Sequence, residues 1–287
     1  MRVLVTGASG QLGKELVRYP QRNGVEVIGL SHQEMDITDI TLVRSKVREL
    51  QPDVVIHAAA YTAVDLAESD PESAYRVNAL GTRNVAIVAE ETGAKLCYIS
   101  TDYVFDGDAD GPYGEYDNTN PTSVYGKSKR AGELLVQGLS TRWFIVRTSW
   151  VFGCYGGNFV KTILKMAEQL ERLKVVADQT GSPTYTKDLS RFLLDLVATE
   201  AYGVYHATNS GQCSWYEFAE AILKEAGLRT PVVPCTTDEF PRPAPRPKYS
   251  VLGQTMLIAS GFEPLRPWRD ALQAFMQEWR EVYYEKN

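Results

Sequence analysis

The amino-acid sequence predicts an α/β fold in which helices cover both faces of a parallel β-sheet. Through the first half of the chain, short β-type runs alternate with stretches of helical periodicity. The strand candidates are apolar at consecutive positions, as expected of parallel strands that are buried on both faces. Because right-handed crossovers join such strands, the alternation indicates the doubly wound, Rossmann-type arrangement.

Five strands and four helices can be placed in this first half. The strands are predicted at residues 3–6, 25–30, 54–57, 96–99 and 143–147. The helices are predicted at residues 11–22, 40–50, 73–91 and 124–139. The third of them is long because its apolar residues keep a near-helical spacing throughout. Residues 1–150 are therefore expected to form one domain around a single sheet.

The alternation loosens after residue 150, which predicts a smaller C-terminal part over residues 151–287. Its helices are predicted at residues 159–171, 187–199, 215–226 and 267–284. Ser214 is the expected N-cap of the helix at 215–226. Residues 231–247 hold six prolines, which exclude a regular helix or a central strand there.

Composition and charge argue against several kinds of protein. The net charge of -6, with no basic stripe, disfavours nonspecific binding to nucleic acid. No apolar run approaches the ~18 residues of a membrane span, and no signal-like region precedes the first strand. The four cysteines are scattered, which fits a reducing compartment rather than a disulfide framework or a zinc site. A cytoplasmic protein without nucleic-acid or membrane partners is expected.

A glycine-rich turn joins the first strand to the first helix. Gly7, Gly10 and Gly13 give a GxxGxxG spacing. Such glycines allow a tight turn and let the backbone approach a pyrophosphate, to which the helix N-terminus offers free N–H groups. A turn without a ligand is the simpler alternative, but the position inside a strand–turn–helix unit favours a dinucleotide cofactor.

The residue after the second strand bears on the choice between NADH and NADPH. NAD-selective sites usually carry an Asp or Glu there, whereas this chain has the neutral Ser31. Without a carboxylate to repel the 2′-phosphate, NADPH is expected to bind at least as well as NADH. Asp36 follows a few residues later and either reaches the adenine or caps the next helix.

Tyr125 and Lys129 begin the fourth helix and are the candidate catalytic pair. Residues four apart share a helix face, so both side chains are expected to enter one cleft. A free tyrosine has a pKa near 10, and a cation ~4 Å away supplies the ~4 kcal/mol that lowers it by ~3 units. Among 16 tyrosines a Tyr-x-x-x-Lys spacing is weak by itself, but its place after a glycine loop favours proton transfer.

Ser100 and Thr101 follow the fourth strand directly. In open α/β sheets, ligands bind at the carboxyl ends of the strands. Either hydroxyl is therefore a candidate hydrogen-bond donor to a reacting carbonyl, and an ordinary strand-end turn is the alternative.

These residues resemble a known group, the extended short-chain dehydrogenase/reductases. Within that group, segments along nearly the whole chain resemble the dTDP-4-dehydrorhamnose reductase family. They are GASGQLG at 7–13, HAAAYTAVDLAE at 57–68, STDYVFDG at 100–107, RTSWVFG at 147–153, DQTGSPTYT at 178–186 and RPKYSVL at 246–252. The resemblance implies NADPH- or NADH-dependent reduction of a dTDP-linked 4-keto-6-deoxy sugar to dTDP-L-rhamnose. It also implies that residues 1–150 bind NAD(P) and that residues 151–287 mainly bind substrate, with some segments returning to the first domain.

The resemblance also implies roles for individual residues. Tyr125 would give a proton to the developing alkoxide, Lys129 would hold the nicotinamide ribose, and Thr101 would orient the ketone. The implied cofactor-binding residues, besides Tyr125 and Lys129, are Gly7, Gly10, Gln11, Leu12, Gly13, Ser31, Asp36, Ile37, Ala58, Ala59, Ala60 and Thr62. The implied substrate-binding residues, besides Thr101, are Asp102, Trp150, Arg246 and Ser250.

Metal content and oligomeric state stay open in this interpretation. Some members of the family are described as dimers bridged by Mg²⁺ through glutamates. Glu15 fits one such position, but an isolated glutamate on an opening helix is more often simply solvated, and no metal ligand is assigned. A monomer or a homodimer is expected.

Two competing interpretations remain. One is another nucleotide-sugar enzyme on this fold, an epimerase or a 4,6-dehydratase. Dehydratases typically carry Thr-Asp-Glu after the fourth strand, whereas this chain has Thr101, Asp102 and Tyr103. The other is a non-catalytic binding protein, because the regulatory subunit of methionine adenosyltransferase is similar to the same family. Consumption of NAD(P)H with a ketosugar nucleotide distinguishes a reductase from such a non-catalytic protein.

Overall fold

The computed structural model describes residues 1–19 and 24–284. Within these residues the strands are β1 (Arg2–Thr6), β2 (Glu26–Leu30), β3 (Val54–His57), β4 (Lys95–Thr101), β5 (Trp143–Thr148), β6 (Val151–Phe152), β7 (Leu173–Val176), β8 (Thr180–Gly181), β9 (Thr184–Tyr185), β10 (Gly203–His206), β11 (Cys213–Ser214) and β12 (Val232–Cys235). Six of them form one parallel sheet in the order β10-β5-β4-β3-β1-β2, and the other six pair into three small two-stranded sheets.

Helices connect the strands and cover the sheet. Within the described residues they are α1 (Gln11–Arg18), α2 (Ile40–Leu50), α3 (Val64–Ser69), α4 (Pro71–Tyr75), α5 (Thr82–Thr92), α6 (Val124–Leu139), α7 (Phe159–Gln169), α8 (Thr186–Val197), α9 (Trp215–Ala226), α10 (Thr255–Ala259) and α11 (Trp268–Tyr284). The predicted helices at 40–50, 124–139 and 215–226 have the bounds expected. The first helix ends at Arg18, short of the predicted 22, and residues 20–23 lie outside the described residues. Ser214 caps α9 as predicted, in a capping box with Glu217.

Both faces of the sheet are buried, which confirms the predicted doubly wound fold. Along β1, Val3 and Val5 pack into one core cluster with residues of α8. Leu4, between them, points to the opposite face and packs with residues of α2 and α5, including Val43 and Val85. Since successive side chains of a strand point to opposite faces, an all-apolar strand requires helices on both sides.

The long helix predicted at 73–91 is wrong in one respect, because it is interrupted. α4 begins after Asp70, whose carboxylate caps it, and a π-helical turn (Arg76–Gly81) separates α4 from α5. In that turn the Asn78 side chain accepts from the Tyr61 backbone N–H and donates to the Tyr61 carbonyl, at 2.8 and 3.1 Å. π-turns inside helices often occur at functional sites, and this one borders the cleft described below.

The C-terminal part has its own core but also contributes to the main sheet. Its core contains aromatic residues of β6, α9 and α11, among them Phe152, Phe218 and Phe275. β10, which the sequence analysis missed, returns to the edge of the main sheet beside β5. The proline-rich segment forms no helix or central strand, as predicted, and its strand β12 pairs only with β7. The domain boundary at residue 150 stays a prediction.

The structure can be compared with what the sequence predicted for the cysteines and for membrane-spanning helices. Cys97, Cys154, Cys213 and Cys235 are buried, free thiols. Across residues 1–19 and 24–284, none of the helices combines the length and apolar character that crossing a membrane requires.

Candidate active site

A cleft of about 920 Å³ opens at the carboxyl ends of the main-sheet strands. Most of the predicted site residues line it: Gly7, Gly10, Gln11, Leu12, Gly13, Asp36, Ile37, Ala58, Ala59, Ala60, Thr62, Thr101, Asp102, Tyr125, Lys129 and Trp150. Three predicted residues are not among its lining residues, namely Ser31, Arg246 and Ser250. The lining also includes residues that the sequence analysis did not single out, among them His32, Arg76, Thr148 and Trp215.

The glycine loop has a backbone that side chains would not fit. Gly7 has φ +68°, and a Cβ there would stand 2.7 Å from backbone atoms of Ala59. A Cβ on Gly13 would stand 2.2 Å from the Gly7 carbonyl oxygen, so α1 packs directly on the loop. Gly10 is the N-cap of α1 and offers no side chain to its N–H groups. The loop therefore fits a pyrophosphate, which would take the place of a side-chain cap.

Gln11 ties this loop to the C-terminal part. Its amide nitrogen donates to the Val151 carbonyl at 3.0 Å, and its amide oxygen accepts from Asn158 at 2.8 Å. Both polar atoms of the Gln11 amide are therefore hydrogen-bonded to the C-terminal part.

The end of β2 differs from the sequence-based expectation. Ser31 donates from its backbone N–H and its hydroxyl to one oxygen of Glu34, at 2.8 and 2.6 Å. These hydrogen bonds, that from the hydroxyl first, lower the pKa of the Glu34 carboxyl. A carboxylate therefore lies beside Ser31, and its bearing on the choice between NADH and NADPH stays a prediction. This carboxylate belongs to Glu34, three positions after Ser31, and a turn brings it back to the end of β2.

Asp36 lines the cleft, and its two sequence-based alternatives can now be separated. The N-cap of α2 is Asp39, so Asp36 does not cap that helix. Its Oδ1 instead accepts from the backbone N–H and the hydroxyl of Thr38, at 2.9 and 2.8 Å. The carboxylate is therefore held at the cleft wall, where contact with the adenosine part of a cofactor remains the prediction.

The first turn of α6 places the candidate catalytic pair. Ser123 caps the helix by accepting from the Gly126 N–H at 3.1 Å. A Cβ on Gly126 would stand 2.1 Å from the Tyr103 carbonyl oxygen, so the helix lies directly on the 3₁₀ turn after β4 (Asp102–Val104). This close packing brings Tyr125 beside Thr101, and Tyr125 and Lys129 face one cleft as predicted.

The expected lowering of the Tyr125 pKa by Lys129 is wrong. Lys129 donates to the Ile99 carbonyl at 2.7 Å and lies 4.1 Å from the centre of the Tyr98 ring. Desolvation raises the pKa of Tyr125 well above its ordinary value, and a hydrogen bond with Thr101 lowers it only in part. Burial lowers the pKa of Lys129 to about 7. Sequence spacing gave the shared face but not the burial that decides the sign.

Asp102 is a buried carboxyl beside the candidate pair. Its Oδ1 accepts from the Thr101 hydroxyl at 2.8 Å, and only 2% of the residue is exposed. Burial raises its pKa to about 6, which the Ser250 hydroxyl beside it partly opposes. Among the described residues, Oδ2 has no hydrogen-bond partner of good geometry. A buried polar atom without a partner is costly, so Oδ2 is suited to accept from a ligand hydroxyl.

Arg246 stands behind the cleft wall. Its guanidinium donates to Asp65 at 2.8 Å and lies 5.9 Å from the centre of the Tyr103 ring. Tyr103 lines the cleft, whereas Arg246, next to it, does not. The contact of Arg246 with the substrate therefore stays a prediction.

Trp150 forms an aromatic wall with Trp215. Trp150 has φ +47°, which is strained for a bulky residue and typical of functional sites. Its ring stacks on Trp215 with centroids 3.5 Å apart, and a Cβ on Gly181 would stand 2.5 Å from it. The sequence shows Trp215 only as the first residue of a helix, so its place in the cleft could not be predicted.

Glu15 does not face solvent as the sequence analysis expected of an isolated glutamate. It is buried and accepts from the Thr186 hydroxyl at 2.9 Å, and burial raises its pKa. Within residues 1–19 and 24–284, no three His, Cys, Asp or Glu side chains are placed to hold one metal ion.

The parallel sheet, the glycine loop and the Tyr125–Lys129 pair define a Rossmann-type protein of the extended short-chain dehydrogenase/reductase class. More narrowly, the chain belongs to the family described as RmlD substrate binding domain, whose model matches residues 1–281. This confirms the resemblance found in the sequence motifs.

Similar proteins cover almost the whole chain. The spore coat polysaccharide biosynthesis protein SpsK of Bacillus subtilis is 47% identical over 96% of this chain and 97% of its own length. A dTDP-4-dehydrorhamnose reductase of Aggregatibacter actinomycetemcomitans is 44% identical over 95% and 97%. The crystal structure of a dTDP-4-dehydrorhamnose reductase from Bacillus anthracis, in complex with NADP, matches with a TM-score of 0.95 and 46% identity, over 96% of this chain and 99% of the other.

Proposed function

We propose that this protein is an NAD(P)H-dependent reductase that converts dTDP-4-dehydrorhamnose to dTDP-L-rhamnose in the cytoplasm. The observation that carries the proposal is the meeting of Tyr125 and Thr101 in one cleft with the glycine loop. The relatives support the substrate, since a protein 44% identical over nearly the full length is a dTDP-4-dehydrorhamnose reductase.

Tyr125 holds the proton that this reaction needs, because desolvation raises its pKa and keeps the phenol protonated. When bound, a nicotinamide cofactor would supply the hydride for reduction at sugar C4. The desolvated phenol stays protonated at neutral pH and gives its proton to O4 only as negative charge develops there. Thr101 lies beside the phenol and can turn its hydroxyl from Asp102 toward the same oxygen. Lys129 is the residue proposed to hold the nicotinamide ribose.

Contacts with the sugar and with the nucleotide are proposed for the substrate side of the cleft. The free Oδ2 of Asp102 is proposed to accept from a sugar hydroxyl. Trp150, backed by Trp215, offers an apolar wall to the sugar. Ser250 reaches the cleft only through Asp102, and Arg246 only through Tyr103, so these two are proposed to act on the nucleotide after a local rearrangement.

Incubation with dTDP-glucose and catalytic NAD⁺ is expected to give no dehydrated product. Elimination of water needs an acid and a base on the sugar, and Tyr103 supplies no carboxylate. Burial raises its pKa to about 12, so at neutral pH the phenol stays protonated and cannot accept the proton. Mass spectrometry for loss of water is the measurement. In parallel, a dTDP-linked 4-ketosugar should consume NAD(P)H stoichiometrically, whereas a non-catalytic binding protein would consume none. Formation of the dehydrated sugar would make this protein a dehydratase.

Glu34→Gln is expected to tighten NADPH binding by about 2- to 5-fold and to leave NADH binding nearly unchanged. The wild-type carboxylate holds both donors of Ser31. We propose that its negative charge lies close enough to a bound 2′-phosphate to repel it. Which of NADPH and NADH the wild type binds better stays a prediction that this variant tests. Titration of nicotinamide fluorescence gives both affinities.

Glu239→Gln is the matched control for this measurement, because Glu239 is likewise a surface glutamate paired with a lysine, Lys174 at 2.6 Å, but lies in the C-terminal part. An equal gain for NADPH in both variants would mean a general charge effect. No gain for Glu34→Gln would remove Glu34 from cofactor choice.

A further inference from the structure

One face of α6 holds the end of β4 through three side chains. Tyr125, Lys129 and Glu133 are spaced by four residues and therefore lie on one helix face. Lys129 donates to the Ile99 carbonyl at 2.7 Å. One helical turn further on, Glu133 accepts from the Ser100 hydroxyl at 2.6 Å. Ile99 and Ser100, which accept from Lys129 and donate to Glu133, immediately precede Thr101, and Thr101 lies beside the Tyr125 phenol.

Glu133 is a fully buried carboxylate, with 0% of its surface exposed. Arg147 donates to both of its oxygens, from Nε at 2.8 Å and from Nη2 at 2.9 Å. Arg130 adds a third charged hydrogen bond at 3.0 Å. Burying a charge is unfavourable unless it is paired and fully hydrogen-bonded. A well-packed apolar residue is the simpler way to fill such a site, so the carboxylate calls for another explanation.

The partner arginine extends the connection to a third element. Arg147 lies on β5, directly before Thr148, which lines the cleft. Its remaining nitrogen, Nη1, donates to the Glu115 carbonyl at 3.0 Å and approaches His206 at 3.3 Å. A single carboxylate thus joins α6 to the ends of β4 and β5, the three elements that carry Tyr125, Thr101 and Thr148.

We infer that Glu133 is a positioning residue for the reduction, which keeps Tyr125 and Lys129 in register with Thr101 and holds a negative charge close to Lys129. This inference rests on the proposed function, because it assigns Glu133 a role through the proposed catalytic pair. Glu133 itself is not among the residues that line the cleft, so its effect on the reaction is transmitted through Ser100 and Lys129.

The charge of Glu133 has a consequence that a purely structural contact would lack. Burial lowers the pKa of Lys129 to about 7, and Glu133 opposes that shift. The titratable side chains that face Lys129 are His57 on β3, Tyr98 on β4, and Tyr125 and Glu133 on α6. His57 is neutral, since burial lowers its pKa to about 3, and both phenols have raised pKa values. Asp102, on the turn after β4, is the other carboxyl beside the pair, and burial raises its pKa to about 6. Glu133 is the carboxylate whose charge acts on Lys129.

The direction of the pH effect follows from the charge of Lys129. The ammonium form is the one that binds ribose hydroxyls as a donor, so function is lost as pH rises through the pKa of Lys129. Without the charge of Glu133 that pKa falls further. The alkaline loss of activity in Glu133→Gln is therefore expected at a lower pH than in the wild type.

Glu133→Gln is expected to reduce kcat by about 10- to 100-fold, with little change in KM, because small displacements of catalytic groups have effects of this size. The double variant Glu133→Gln/Arg147→Met removes the unpaired buried arginine, so it is expected to fold even if the single variant does not. We expect it to stay slow and to keep the shifted pH profile. Recovery of the wild-type kcat and pH profile in the double variant would show that Glu133 only neutralises Arg147.

Asp188→Asn is the control for the general loss of a hydrogen-bonded ion pair, here one between a partly buried Asp188 and a more exposed Arg266. Asp188 accepts from Arg266 at 2.9 Å and from Asn209 at 2.8 Å, in the C-terminal part and away from the cleft. It should lower thermal stability but leave kcat and the pH profile unchanged.

NADPH titration across pH separates this inference from the proposed function. The affinity of Glu133→Gln for NADPH should weaken at a lower pH than that of the wild type, whether or not the ketosugar is reduced. A wild-type protein that binds NADPH but reduces no ketosugar would overturn the proposed function alone. Identical pH dependence of NADPH binding in the two proteins would overturn the role of Glu133.

Discussion

Tyr125→Phe is expected to lose about 10²- to 10⁴-fold in kcat, the usual contribution of a general acid, while NADPH still binds. The substitution removes one oxygen and leaves the ring packed edge-on to Tyr103, with centroids 5.5 Å apart. The fold should therefore be kept. Steady-state NADPH oxidation with the ketosugar measures kcat, and nicotinamide fluorescence measures binding.

Two further tyrosine variants sharpen this test. Tyr116→Phe changes an exposed phenol, with 72% of the residue accessible, and should behave like the wild type. Tyr103→Phe removes the phenol adjacent to Tyr125 and should cost less than Tyr125→Phe. If Tyr103→Phe were the more damaging of the two, or if Tyr125→Phe kept a nearly normal kcat, the proton donor would have to be reassigned.

Gly13→Ala is expected to weaken cofactor binding by at least about tenfold, or ~1.4 kcal/mol. The new Cβ would stand 2.2 Å from the Gly7 carbonyl oxygen and 2.7 Å from the Ala8 Cα, and neither backbone atom can swing away. The loop must move, and overpacking of this kind also costs ~1–3 kcal/mol of stability. Thermal unfolding with and without NADPH reports both effects.

Gly138→Ala is the control variant for the same thermal unfolding experiment, because alanine is expected to stabilise the protein at this position. Gly138 lies in α6, and no atom of the described residues outside its own stretch of helix comes within 4 Å of the place that an alanine methyl group would take. Alanine there should therefore stabilise the helix by ~0.5–1 kcal/mol. Wild-type NADPH affinity in Gly13→Ala would contradict the assignment of the glycine loop to the cofactor.

The sequence predicted the features that depend on periodicity and spacing. Apolar strands alternating with helices give the doubly wound sheet, because burial on both faces leaves a pattern in the residues themselves. The positions of Gly7 and Gly13, between a strand and a helix, predicted a turn that side chains do not fit. The four-residue spacing of Tyr125 and Lys129 likewise predicted their shared face.

Other features depend on contacts between residues distant in sequence or on burial. The break in the predicted helix at 73–91 involves a hydrogen-bonded tie from Asn78 to the loop after β3, which no local pattern reveals. The pKa of Tyr125 rises because of desolvation, which spacing does not report. Glu34 returns to Ser31 through a turn, so the residue directly after β2 does not by itself decide which charges lie there.

The return of β10 to the main sheet limits how this protein can be recombined with its relatives. A chimera that exchanged everything after residue 150 without matching β10 would leave β5 as an open edge, with unpaired backbone groups beside the buried Phe144 and Val146. Exposed edges of this kind recruit strands from other chains and promote aggregation. Exchange of substrate preference between family members therefore requires β10 to be inherited together with β5, whatever the origin of the segments between them.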